Sequence, residues 1–385
     1  FFQVFPANRR GFAMGIYGMS MTMALALGPT VGGITIDALS WRYIFFVPLP
    51  LITIALALGV IFMPSVRSKE RPKFDWAGYL LICITLFCLV SALSNGQKLG
   101  WLSDHISGLL AISVIGSAAF LWSQSKAQNP LLDLQLFRVP AFASACLIAF
   151  IFGMGNFATT YAVPVFGQLV QGLSATDAGM LMMPAGLIVA FALPFTGRLA
   201  DRSKPHYIII CGLFFFFLGT ALLGGADANT PFWHVAFFGM VSRFGMSFIM
   251  PSVMSTALKA VPPERLNSAG GAVNFVRQLG GSLGTNFYVV LLSLRTQFHS
   301  DALASTQISG NAASQELLVG VGGILSVAGV PEAMHQSGAL HYLGQVVHAQ
   351  ASTLGFQDGF LIIATVFLAA MLPAWVLGRA QAARP

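Results

Sequence analysis

The chain is written in long apolar runs separated by short polar breaks. A helix that crosses a membrane needs about 20 mostly apolar residues. Ten such runs fall at approximately 11–36, 41–63, 76–94, 106–124, 142–165, 176–196, 207–226, 232–256, 268–292 and 356–378. Inside them the apolar positions are continuous rather than alternating, which excludes a membrane barrel, whose strands turn every second residue inward. Pro29, Pro184, Pro194 and Pro251 lie within runs. They do not veto helices in a bundle, because neighbouring helices satisfy the backbone groups that proline frees. The pattern predicts an all-α polytopic membrane protein with ten transmembrane helices.

One stretch breaks the rhythm. Residues 293–355 are expected to form a long loop outside the membrane. Within it Leu317–Val330 is apolar but only 14 residues long and glycine-rich, so it is expected at the interface or packed on the bundle. Leu340, Leu343, Val347 and Gln350 suit a short amphipathic helix.

Composition narrows the class. Of 385 residues 56% are hydrophobic and only 9% charged, where a soluble domain carries about 25% charged residues. So few charges cannot cover the surface of a soluble core, and a disordered chain is excluded with it. The net charge of +7, from 20 basic and 13 acidic residues, has an explanation other than nucleic acid. With residues 1–10 placed inside, Arg9, Arg10, Arg67, Lys69, Arg71, Lys73, Lys126, Arg138, Arg198, Arg202, Lys204, Lys259, Arg265, Arg379 and Arg384 all fall inside. Arg42, Lys98 and Arg295 fall outside, and Arg243 and Arg277 lie within runs. This asymmetry orients a membrane protein and puts both ends of the chain in the cytoplasm. Cys83, Cys88, Cys146 and Cys211 sit in apolar runs without metal-binding spacing and read as buried thiols. The opening Phe1-Phe2-Gln3 has neither the charged segment nor the cleavage site of a signal peptide.

Candidate chemistry is sparse. In the first run Gly28 and Gly32, four apart, allow a close helix–helix approach, and Pro29 permits a bend. Plain helix packing explains Gly28, Pro29, Gly32 and Gly33 as well as any special function does. Gly197, Arg198, Asp201 and Arg202 form a loop after the sixth run, either a charge-paired latch or an ordinary basic inside loop. Arg243 and Arg277 are charges at membrane depth, which face a cavity or a partner as a rule; structural anchoring is the competing reading. Asn274 lies three residues before Arg277 and shares its face. Asn156 and Tyr161 are further candidates for a central cavity. Every acid lies in a loop or near a helix end, and Asp37 and Asp358 come nearest to a proton-carrying position. There is no Walker-type loop for ATP, no His/Cys/acid cluster for a metal and no nucleophile–base pair, so neither a cofactor nor an enzyme is expected.

A family resemblance ties these pieces together. Arg9-Arg10-Gly11, the string Gly28-Pro29-Thr30-Val31-Gly32-Gly33 and Ser40–Pro48 resemble the fifth and sixth helices of fourteen-spanner drug:proton antiporters, the EmrB/QacA type of the major facilitator superfamily. The resemblance continues through Asp75–Gly78, Gly100–Ser103, Asn129–Arg138, Gly197–Arg202, Asn274–Gly284 and Gln350–Phe360. It implies that the first four helices of the family, with the coupling acid, precede Phe1. It divides the chain into a remnant of the N-terminal half (1–64), two linker helices with a cytoplasmic connection (65–139) and a six-helix C-terminal half (140–385). Pro6–Arg9 and Pro262–Arg265, each before a glycine-rich run, hint at the parallel repeat of the two halves. The resemblance further implies an antiporter motif at Gly28–Gly33, a latch at Gly197–Arg202 and proton-driven export of lipophilic small molecules across the bacterial inner membrane. A periplasmic adaptor and an outer-membrane channel are the partners it suggests beside lipid and protons. The alternative is a truncated, non-transporting membrane protein or scaffold.

Overall fold

A computed structural model describes residues 10–62, 74–127, 129–308 and 310–382, without the side chains of 10–21, 25, 26, 200–202 and 376–382. Among these residues the regular structure is entirely helical. Helix α1 spans Arg10–Ala38, and a tight turn at Trp41–Phe45 leads into α2, Pro48–Phe62. The hairpin α3–α4 follows at Trp76–Leu99 and Asp104–Lys126. The rest is α5 (Pro140–Leu169), a short α6 (Ala175–Met180) running on into α7 (Met183–Arg202), α8 (Pro205–Leu223), α9 (Phe232–Lys259), α10 (Leu266–Ser305), α11 (Ala312–Val327) and α12 (His335–Ala382).

Eight of these segments are long and apolar enough to cross a membrane: the turn with α2, α3, α4, α5, α6 with α7, α8, α9, and the stretch Glu332–Trp375 of α12. Helices α1 and α10 stand outside that group. In α10 the reason is visible, since Asn274, Arg277, Gln278 and Asn286 interrupt its apolar face.

The core lies in the second half of the chain. Helix α5 packs against α10, α12 and α9, and α8 lies against α9 and α12. Aromatic rings fill the centre: Phe142, Phe152, Phe166, Phe216, Phe356, Phe360 and Phe367 are all fully buried. Phe216 of α8 stacks on Phe367 of α12 with ring centroids 4.2 Å apart. Lipid is as apolar as these side chains, so helices associate in a membrane through close packing and polar contacts. The α5–α10 pair shows the packing. A Cβ on Gly153 would sit 2.0 Å from the Arg277 carbonyl oxygen, and one on Gly280 2.2 Å from that of Phe150.

The linker pair is held by the motifs named above. Asp75 caps α3 by accepting from the Gly78 N–H at 2.9 Å, and its other oxygen accepts from Gln124 of α4 at 2.7 Å. Gly100 turns the chain between the two helices with φ +83°, a backbone region that favours glycine. Ser94 donates to Asn286 at 2.6 Å, fastening α3 to α10. Farther on, Asp133 pairs with Arg265 at 3.2 Å and ties the end of the linker to the approach to α10. Helix α2 buries none of its residues.

The segment 293–355 is not a loop. It comprises the end of α10, all of α11 and the start of α12. A helix has no need to stop at the membrane face when its polar side chains suit water. Breaks come where the backbone is redirected: Asn311 caps α11 by accepting from the Ser314 N–H at 3.3 Å, and Gly329 ends it with φ +75°. Helix α11 packs on α12, and the amphipathic stretch at Leu340–Gln350 is part of α12.

Candidate functional site

The polar residues at membrane depth sort into three groups. The first joins α5 to α9. Asn156 and Thr160 are four apart on α5 and share a face. Arg243 of α9 reaches across and donates to the Asn156 side-chain oxygen and to the Thr160 hydroxyl oxygen. Thr160 in turn donates to the Asn156 carbonyl at 2.6 Å, so its hydroxyl is used in both senses. Asn156 is buried, and Arg243 is partly so. No carboxylate pairs with Arg243 among the described residues. Among the described residues its partners are these two neutral oxygens.

The second group lies on α10. Arg277 approaches the Asn274 side-chain oxygen at 3.4 Å, the edge of hydrogen-bonding distance. Its Nε is buried without a partner. The two predicted neighbours therefore do share a face, but they are not joined to Arg243. Tyr161 belongs to neither group and is 38% exposed.

The third group joins the last third of α10 to the middle of α12. Asp358 accepts from Arg295 at 2.7 Å and contacts His299 Nε2 at 2.6 Å through the same oxygen. Asp37, at the end of α1, accepts from the Thr176 N–H at the start of α6 at 2.7 Å. The hydrogen bonding from Thr176 holds the Asp37 carboxyl below the usual carboxylate range.

The glycine–proline string of α1 docks on α6, with a different set of residues from the one its spacing suggests. Gly28 and Gly32 have nothing within 4 Å of where a Cβ would be. Gly33 is the tight position, 2.3 Å from the Ala175 carbonyl oxygen, and Gly179 meets the Pro29 carbonyl oxygen at 2.4 Å. Thr30 seals the seam by donating to the Gly179 carbonyl at 3.2 Å. Spacing of four identifies a face without saying how the helix is rotated, and here the neighbouring face is in contact.

The Gly197–Arg202 motif is also differently built. It is the last turn and a half of α7 rather than a loop, and only Ser203 and Lys204 separate it from α8. Arg198 is exposed; the side chains of Asp201 and Arg202, and with them the proposed charge pairing, lie outside the described residues.

Two polar contributors have no motif to announce them. Thr160 is one, legible only as the residue four beyond Asn156. Thr196 of α7 is the other. Pro251 has no N–H to offer the Ser247 carbonyl one turn back, and the Thr196 hydroxyl donates to that carbonyl at 2.8 Å instead. No group of three or more His, Cys, Asp or Glu positioned for a metal occurs among the described residues.

The chain is similar to several resistance proteins. It is 29% identical over 290 residues to the lincomycin resistance protein LmrB of Listeria monocytogenes, covering 75% of this chain and 62% of that one. It is 26% identical over 380 residues to multidrug resistance protein 3 of Bacillus subtilis, covering 97% and 70%. It is 29% identical over 286 residues to multidrug resistance protein Stp of Mycobacterium tuberculosis, covering 73% and 52%. The chain thus spans less than two thirds of the length of the first of these relatives. Among solved structures, a bacterial homologue of the lysosomal transporter Spinster aligns with a TM-score of 0.46 at 15% identity, over 78% of this chain and 67% of that one. The model of the Major Facilitator Superfamily matches residues 1–285. With its helical bundle of apolar spans and a match over most of its length, the chain belongs to the Major Facilitator Superfamily.

Proposed function

We propose that this chain works in a multidrug efflux transporter, a carrier rather than an enzyme. It exports hydrophobic or amphiphilic compounds by proton-driven antiport and alternating access. The observation that carries this reading is a cation held at membrane depth by neutral partners, Arg243 on Asn156 and Thr160, in a chain whose relatives are named for drug resistance. Such a polar cluster inside an apolar bundle is costly and marks a substrate or ion path as a rule. The α3–α4 hairpin between α1–α2 and the α5–α12 bundle supports the fourteen-span type, with divisions near 1–64, 65–139 and 140–385. On this reading α1 and α10 also cross, giving ten spans here, and the lysine and arginine distribution puts both ends of the chain on the cytoplasmic side of the inner membrane. The projecting α10–α11–α12 ends are a surface for a periplasmic adaptor leading to an outer-membrane channel. Deleting 310–330 should then abolish adaptor capture while leaving membrane insertion intact.

The test of the central reading is dye export by the intact protein in an efflux-deficient host. Export should stop when a protonophore collapses the gradient. Export that persists without a gradient counts against antiport, and absence of export from a correctly inserted protein favours the non-transporting scaffold.

A further inference from the structure

The charge of the substrate is readable from the same site, given the efflux reading. We infer that the membrane site of this chain selects amphiphiles carrying an anionic group, a carboxylate or phenolate, over cationic ones, and that Arg243 is the residue that sets this preference.

The argument begins with what surrounds the guanidinium. An arginine offers five N–H donors and stays charged. Arg243 uses donors on Asn156 and Thr160, both neutral. Hydrogen bonds to neutral oxygens satisfy donors but leave the positive charge uncompensated, and an uncompensated charge in a low-dielectric site is expensive. No acid among the described residues pairs with it. Within the described spans the carboxylate of Asp358 is already engaged by Arg295 and His299. Asp133 is taken by Arg265 outside the bundle.

A second cation, Arg277, lies on α10. Arg277 has a buried Nε without a partner and only a long contact to Asn274. Its backbone packs on α5 at Gly153, three residues before Asn156, about 4.5 Å along the helix at 1.5 Å per residue. At short range in such a medium the Arg243 guanidinium attracts an anionic headgroup and repels a cationic one. A bound anion would supply the counter-charge that the described residues do not.

The experiment is equilibrium binding of two dyes to the purified intact protein by fluorescence anisotropy. A carboxyfluorescein anion and a rhodamine cation share the same xanthene ring and differ in charge. The anion should bind tighter by about tenfold or more, the worth of one charge-assisted hydrogen bond. Arg243→Gln should erase most of that ratio, and Arg243→Lys, which keeps the charge, should retain a large part of it. Equal or tighter binding of the cation by the unmodified protein overturns the inference without needing any variant. So does an unchanged ratio in an Arg243→Gln protein that still unfolds cooperatively. Gradient-dependent export of the cation alone removes the charge assignment and leaves the efflux reading standing. A protein that neither binds nor exports either dye removes both.

Discussion

At the residue scale, Thr196, Ser247 and Pro251 show how a membrane helix keeps a proline. The carbonyl that Pro251 strands is recovered by a hydroxyl from the neighbouring helix at 2.8 Å. Thr196→Val should lower unfolding stability by about 1 kcal/mol, the scale of an interhelical hydrogen bond in a membrane. In a Pro251→Ala background the Ser247 carbonyl regains its own helical N–H, so the same substitution should cost much less. A double-mutant cycle of unfolding in detergent decides this, and strictly additive effects would sink the idea. The need for such a rescue was legible in the sequence; the rescuer was not. A proline inside an apolar run says that a carbonyl is orphaned, and only the packing of α7 on α9 says that Thr196 reaches it. The same holds for Arg243. Its cost at membrane depth is plain from position, whereas its partners on α5 lie eighty-odd residues away in sequence.

At the scale of elements, eight of the apolar runs fall on segments long and apolar enough to cross a membrane, and they are helical because a backbone in hydrocarbon has no other way to pair its polar groups. What the runs leave open is rotation about each helix axis and where a helix ends once outside the membrane. Rotation decides the α1–α6 seam. Gly33→Ala forces a Cβ onto the Ala175 carbonyl and should lower the unfolding temperature of the intact protein by several degrees. Gly28→Ala and Gly32→Ala add a methyl group to open space and should change stability by no more than about 0.5 kcal/mol. If all three behave alike, the seam is not built on this face. The last third of α10 and the middle of α12 are joined by Asp358 with Arg295 and His299. These side chains are partly exposed, so the clasp is worth little to global stability, roughly 1 kcal/mol or less. Its effect should be local. Asp358→Asn should speed backbone hydrogen exchange near 295–305 and 350–358 and leave α8 and α9 unaffected. Unchanged exchange in those stretches would mean that packing alone holds the two helices together.

For the whole molecule, helix length and charge placement make one statement about topology. Helix α12 has 48 residues and α10 has 40, whereas about 20 residues cross a bilayer. At 1.5 Å per residue each of them is roughly twice as long as the hydrocarbon core is thick. The excess belongs on one side, because α11 and its caps join the end of α10 to the start of α12. In the proposed orientation that side is the outside, and the short α7–α8 connection at Ser203 and Lys204 is inside. The four native cysteines are free, with Cys88 and Cys146 buried and Cys83 and Cys211 on exposed faces of membrane spans, so all four are best replaced first. In that background a single cysteine at Ala313 or Gln345 should react with a membrane-impermeant maleimide added to intact cells. One at Ser203 should react only after the membrane is opened. Labelling in the reverse order would invert the map. Labelling of all three from outside would break the topology itself, because it places both ends of the α5–α12 bundle on one face of the membrane.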